Sequence, residues 1–158
     1  MRGITLLTRL LETVPPRLEA IPDSTASKSQ SADKWSAKQE LGHLLDSAAN
    51  NHQRLVRGLL QENPAMPGYE QRAWVDLHNY QSRDWQELIA LWQALNRQLL
   101  AAAKAVPNSA RTRTMTIAAS EPLTIEFVFE DYIEHMLHHL AHIGIEIADL
   151  KPETAAAD

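Results

Sequence analysis

The sequence predicts an all-α protein, a four-helix bundle with long connectors, on three observations. Four stretches of bundle length carry apolar residues at helical spacing, no segment reads convincingly as a paired strand, and no internal repeat is present. With 158 residues the chain can bury a full core without staples, so residues 1–158 are read as one domain.

Ile4, Leu6, Leu7, Leu10 and Leu11 define the first helix. Pro15 and Pro16 are expected to interrupt or kink it, since proline lacks the amide donor and clashes with the preceding turn; Leu18 and Ile21 extend the pattern by a turn. PDSTASKSQSADKW, residues 22 to 35, has no apolar periodicity and reads as a loop. Ser36 then caps a second helix, with Glu40 one residue beyond the capping-box position, and the helix runs to about Asn63 before Pro64 stops it. PAMPGYEQRAWVDLHNYQS, residues 64 to 82, is a turn-rich connector with helical character late in it. Asp84 or Ser82 caps a third helix from about Trp85 to Ala105, with Leu88, Ile89, Trp92, Leu95, Leu99 and Leu100 on one side and Pro107 closing it. Residues 108–123 contain TRTMTIAAS, which is β-branched and partly alternating but has no evident partner strand, and read as an irregular excursion. The last helix begins near Leu123 or Thr124 and reaches about Leu150, leaving ETAAAD as a frayed tail.

Composition narrows the function. Without cysteine there are no disulfides, thiolate ligands or cysteine nucleophiles, so any metal must take nitrogen or oxygen ligands. Arg9 and Glu12 break the apolar run at the amino terminus, and nothing later approaches the length of a membrane span, which points away from membranes and to the cytoplasm. Net charge is -5 and the 15 Lys and Arg residues are scattered, so the basic footprint of a nucleic-acid binder is missing.

The stretch DYIEHMLHHLAHIGIE, residues 131 to 146, holds four of the seven histidines: His135, His138, His139 and His142. At about 100° per residue these four share an arc of about 100°, extended by Asp131 and Glu146. Ile133, Met136, Leu137, Leu140, Ile143 and Ile147 lie on a separate apolar arc. A solvated helix face is the ordinary fate of one histidine. Four so close would repel if protonated, which favours the neutral, metal-binding state. His135 with His139, and His138 with His142, each stand one turn apart, the spacing that lets two imidazoles grip one ion, and spacing does not choose between them.

A further ligand has to come from elsewhere. On the second helix Leu41, Leu44, Leu45, Ala48, Leu55 and Leu59 form the apolar face, and Gln39, His43, Asp46, Ser47, Asn50 and Arg54 a polar stripe away from it. His43 is the candidate; Gly42 beside it permits close approach of another segment or a ligand. His52 falls toward the apolar face, and His78 has no visible partner and reads as a surface residue.

On KWSAKQELGHLLDSAANNHQR at 34 to 54, PGYEQRAWV at 67 to 75 and DYIEHMLHHLAHI at 131 to 143, the chain resembles the DinB-like (YfiT-like) metalloenzymes, over most of its length and in the family's order. The resemblance implies a four-helix bundle with a divalent metal at one end, held by one histidine from the second helix and two from the last. Carried over, the ligands become His43, His135 and His139, which chooses between the two pairs. Trp35 matches a structural tryptophan before the second helix, and Trp74 a connector position. His142 departs from the glutamine of many relatives and becomes a hydrogen-bond donor behind a ligand, a fourth ligand or a proton-transfer group; His138 is given a role in packing or in hydrogen-bonding behind a ligand. Family members often form homodimers, on which this sequence itself is silent.

Three imidazoles leave a coordination position open, the arrangement of a catalytic ion. Zinc or nickel is the foremost expectation for the metal, with iron, manganese or copper as alternatives. The activity the resemblance implies is a low-molecular-weight-thiol S-transferase, with bacillithiol or mycothiol as cosubstrate, or a related hydrolase, acting on a small electrophile. His142, Asp46, Asn50 and Arg54 are the candidate substrate-facing or supporting groups, lying on the same stripes as the ligands. The alternatives are a metal-binding bundle without catalysis and a metal-free, pH-responsive histidine cluster.

Overall fold

Helix α1, Gly3–Glu19, continues through Pro15 and Pro16 where the sequence suggests a break. Interior prolines cost a helix about 3 kcal/mol or more. Against that, Val14 and Leu18 flank the pair and are wholly buried, each contributing about 1.5–3 kcal/mol. The indole Nε1 of Trp85 also donates to the Leu18 carbonyl at 2.9 Å, holding the last turn in place. The computed structural model describes residues 1–29, 31 and 33–146. The segment read as a loop contains a one-turn helix, α2 (Asp23–Ala26), tied to the next helix by Asp23 and Lys38 at 2.7 Å.

Helix α3, Ala37–Leu60, opens with a capping box built by Ser36 and Gln39, not Glu40: the Gln39 amide donates to Ser36 Oγ, and Gln39 Oε1 accepts from the Ser36 amide at 3.0 Å. Glu40 is thereby free to turn into the bundle. The helix ends three residues before Asn63, which takes a left-handed φ of 43°. The connector forms β1 (Ala65–Met66), α4 (Gln71–His78) and a single 3-10 turn, Tyr80–Ser82. Asp84 Oδ1 accepts from the Glu87 amide at 2.9 Å and so caps α5, Trp85–Lys104.

The stretch 108–123 is not irregular throughout. Thr114–Ile117 forms β2, paired parallel with β1 and antiparallel with β3 (Leu123–Thr124) in the order β1-β2-β3. Two of these strands are two residues long, too short for a period-2 signal, and β1 lies far from β2 in sequence. The sheet closes the end of α3: Arg113 donates through Nη1 to Leu59 O at 2.8 Å and through Nη2 to Gln61 O at 2.6 Å.

Helix α6, Ile125–Ile143, begins at a Thr124 cap and stops where Gly144 adopts φ 91°, with the Ile145 amide reaching back to Leu140 O. The expected continuation to Leu150 fails because this glycine terminates the helix; residues 147–150, with Ile147, and the expected tail lie outside the described residues. The long helices α1, α3, α5 and α6 make the four-helix bundle, α3 packing along both α5 and α6, and α1 against the same two. Trp85, Trp92, Tyr132, Leu41, Leu44 and Met136 fill its core. Among the described residues no helix is long and apolar enough to cross a membrane.

Candidate metal centre

The polar stripe of α3 does not face water. His43, Asp46, Ser47 and Glu40 are all buried, because the stripe lies against α6 and the connector. A polar group buried in this way must find partners or remain costly. Most of these partners are the histidines of α6.

His43 Nε2 stands 3.1 Å from His135 Nε2, which stands 3.1 Å from His139 Nε2. Three ring nitrogens thus converge, and a neutral His135 can donate a proton to only one of its two neighbours. Nitrogens bound to one ion at about 2.0–2.1 Å are about 3.0 Å apart at a right angle and about 3.4 Å apart at the tetrahedral angle. The observed spacing falls between, so the donor set fits a divalent cation. The reverse faces of the rings fit as well. His139 Nδ1 lies 2.6 Å from Glu40 Oε2, so a donating Nδ1 leaves Nε2 as the free ligand atom. Ser47 Oγ is 3.5 Å from His135 Nδ1, while His43 Nδ1 is buried without a partner.

Burial, and then the neighbouring imidazoles His139 and His135, push the His43 pKa down to about 3. Burial is also the largest cause holding His135 down at about 4, followed by His139 and His138. Both rings are therefore neutral near pH 7, the state in which imidazole ligates a metal.

Trp35 covers the triad, its ring centroid 5.3 Å from that of His43 and 6.4 Å from that of His139, so it walls the site beyond the structural role expected of it. Tyr69 flanks His43 at 6.4 Å and stacks at 5.0 Å on Trp74. A cavity of about 410 Å³ opens beside His139, lined by Trp35, Glu40, Arg72 and His142 together with Asp33 and Lys34.

The remaining candidates divide. His142 is half exposed and its Nδ1 is 3.2 Å from Glu40 Oε1, so one carboxylate joins it to His139. His138 is exposed and meets His142 edge-on at 4.3 Å; the rings that gather with His43 are those of His135 and His139. Asp46, only 3 % exposed, accepts from Tyr80 OH at 2.7 Å and pairs with His78 Nδ1 at 3.1 Å, its partners lying on the connector and not in the triad. Burial raises the Asp46 pKa. That contact corrects the reading of His78 as partnerless. Asn50 donates to the Asp46 carbonyl of its own helix at 2.9 Å, and Arg54 to Asn51 Oδ1 at 3.3 Å, so neither touches the triad. In the sequence Glu40 reads only as a near-cap residue, because the imidazoles it supports, His139 and His142, lie on α6 and no local spacing joins them to it. Tyr69, in a connector without periodicity, left no comparable signal.

A sequence model described as the DinB superfamily matches residues 6–143. The Bacillus subtilis protein named "Putative metal-dependent hydrolase YfiT" is 29% identical over 140 residues, covering 85% of this chain and 79% of its own. A Halalkalibacterium halodurans protein with the same style of name, BH0277, is 26% identical over 146 residues, 90% of this chain and 85% of its own. The solved structure of Bacillus subtilis YfiT, described as "a probable metal-dependent hydrolase with an unusual four-helix bundle topology", matches with a TM-score of 0.79 at 28% identity, over 91% of this chain and 85% of that one.

Proposed function

The chain belongs to the DinB superfamily, and from that membership we propose that it is a metal-dependent enzyme that hydrolyses a small electrophile. Convergence of the Nε2 atoms of His43, His135 and His139 is the observation that carries this reading. A divalent ion held there supplies a Lewis-acidic centre that acidifies a coordinated water or thiol. Zinc or nickel is the foremost candidate among the ions that imidazole suits, which include copper and iron. The names of the Bacillus and Halalkalibacterium relatives favour hydrolysis. Transfer of a low-molecular-weight thiol uses the same donor set and cavity, and one assay separates the two.

The chain's own residues have distinct tasks. Glu40 fixes the tautomer of His139 through the 2.6 Å contact with Nδ1. The other oxygen of the same carboxylate orients His142, which lines the cavity and is open to solvent, so His142 is placed to carry a proton between a bound substrate and water. Trp35 gives the cavity an apolar wall that excludes water from one side of the rings. Asp46 works through packing, holding Tyr80 and His78 and hence the connector against α3.

The test begins with elemental analysis of protein purified without a histidine tag, then follows turnover of small activated esters and amides with and without bacillithiol, mycothiol or glutathione. One divalent ion per chain is expected, lost in His43→Ala, with turnover abolished by chelation and restored by the ion. Turnover only with an added thiol would move the reading to thiol transfer. A bound ion with no turnover on any substrate would leave a non-catalytic metal-binding bundle, and a metal-free protein indifferent to chelators would overturn the reading altogether.

A further inference from the structure

A second cavity, of about 420 Å³, lies between the carboxyl-terminal half of α3 and the segment that begins β1. Its lining includes Asn50, Gln53, Arg54, Arg57, Ala65 and Pro67: two guanidinium groups, two side-chain amides and no carboxylate. The cavity beside His139 differs, since there Lys34 and Arg72 are accompanied by Asp33 and Glu40. Carboxylates thus accompany the cations in the first cleft and line no part of the second.

Arg54 is half-buried, and its hydrogen bond is a long one of 3.3 Å to the neutral Asn51 Oδ1. Among the described residues it forms no ion pair. Asp131, on α6, acts on it by charge and not through a hydrogen bond. Burial, the largest influence on it, disfavours its charged form, and the charge of Asp131 offsets this only in part. Arg57, one turn on and exposed, meets only the neutral Gln53 Oε1, at 3.4 Å. A guanidinium carries five donors in a fork suited to carboxylate or phosphate, and most of these donors remain unused here.

The opposite wall adds a backbone donor. β1 pairs with β2 through the Pro64 and Met66 carbonyls, which accept from the Thr116 amide at 3.1 Å and the Ala118 amide at 2.8 Å. In a parallel ladder the residue between them turns its own N–H and C=O to the other side. β1 is the edge strand, so the Ala65 amide faces away from the sheet, toward the cleft that Ala65 lines.

Asn50 and Arg54 of the cleft stand on the same polar stripe of α3 as His43, about two and three turns further along the helix. The Arg54 charge is among those acting on His135, and Arg54 is close enough to Tyr69, which flanks His43, to act on it too. We propose that this cleft is an anion subsite for the substrate, in which Arg54, Arg57 and the Ala65 amide hold a carboxylate or phosphate group. That assignment to the substrate rests on the triad being the reacting centre, and it restricts the substrates to anionic small molecules.

Isothermal titration of the untagged full-length protein with inorganic phosphate, and separately with succinate, at fixed ionic strength, tests this. Saturable binding of at least one anion is expected, and which of the two binds tells phosphate from carboxylate. Arg54→Gln and Arg57→Glu should each weaken binding by about tenfold to a hundredfold, the effect of losing a charged hydrogen-bond partner, with metal content unchanged. Arg57 is exposed, so Arg57→Glu keeps the test decisive even where Arg54→Gln does not fold. Binding of neither anion, or equal binding by wild type and both folded variants, would overturn the proposal. Metal content separates the two readings: a metal-free protein whose anion binding still depends on Arg54 retains the anion site while the metal assignment falls.

Discussion

At the residue scale the site turns on Glu40. One carboxylate accepts from two imidazoles, His139 at 2.6 Å and His142 at 3.2 Å, and does so 7 % exposed, where charge-assisted hydrogen bonds are stronger than in water. Glu40→Gln keeps the shape but removes the charge, and it leaves only one carbonyl oxygen to accept. Its expected effect is a loss of metal affinity of about tenfold to a hundredfold, the usual cost of removing a supporting carboxylate, with the helical circular-dichroism signal intact. Competition titration with a chelating dye measures this, and wild-type affinity in the variant would remove Glu40 from the site. The same residue marks how far the site was legible. Two i, i+4 histidine pairs stood out in the sequence because spacing on a helix is a one-dimensional signal, but it was the resemblance to the DinB-like family, not the spacing, that chose His135 with His139 and joined His43 to them. Glu40 was obscured by a nearby capping box that belongs to Gln39, and Tyr69 reaches His43 only through tertiary folding.

At the element scale, α3 is shared between two neighbours. Glu40, His43 and Ser47 face the histidines of α6, while Gly42 and Asp46 face Tyr80 of the connector. A Cβ at Gly42 would fall inside the van der Waals shell of the Tyr80 ring. Glycine to alanine within a helix ordinarily stabilises by about 1 kcal/mol. Here the clash reverses the sign. Gly42→Ala is expected to destabilise by about 1–3 kcal/mol, the usual cost of overpacking, through displacement of Tyr80 and of its hydroxyl from Asp46. Urea unfolding reads this directly, and an unchanged or raised midpoint would refute the packing of Tyr80 on α3. The helices themselves were legible because their apolar spacing is local. What faces a polar stripe is not local: the stripe on α3 reads as solvent-facing until the stripe of α6 is brought against it. The three short strands were hidden for the same reason, since the pairing of Ala65 with Thr116 is a long-range contact with no periodicity of its own.

At the scale of the whole molecule, α3 and α6 come together at the imidazoles of His43, His135 and His139, and an ion bound there would act as a cross-link present only in the folded state. Free ion at about a thousandfold over its dissociation constant stabilises by about 4 kcal/mol. For a chain of this size that raises Tm by about 8–16 °C. The pH dependence follows with a definite sign. His43 and His135 titrate near 3 and 4 in the folded protein but near 6.5 when unfolded, so below about pH 6.5 the unfolded chain takes up protons that the folded chain refuses. Stability of the chelated protein is therefore lost progressively as pH falls from about 6.5 toward 4, whereas above 6.5 these two rings contribute no slope. In the loaded protein protons also compete with the ion for the same nitrogens, so its Tm advantage should shrink over the same interval. Calorimetry of chelated and loaded protein between pH 8 and 5 tests both effects together. A Tm indifferent to the ion would deny that the two helices share a ligand. A chelated protein whose Tm stays flat down to pH 5 would mean that His43 and His135 are not held neutral by burial, and their readiness to ligate an ion would lose its physical basis.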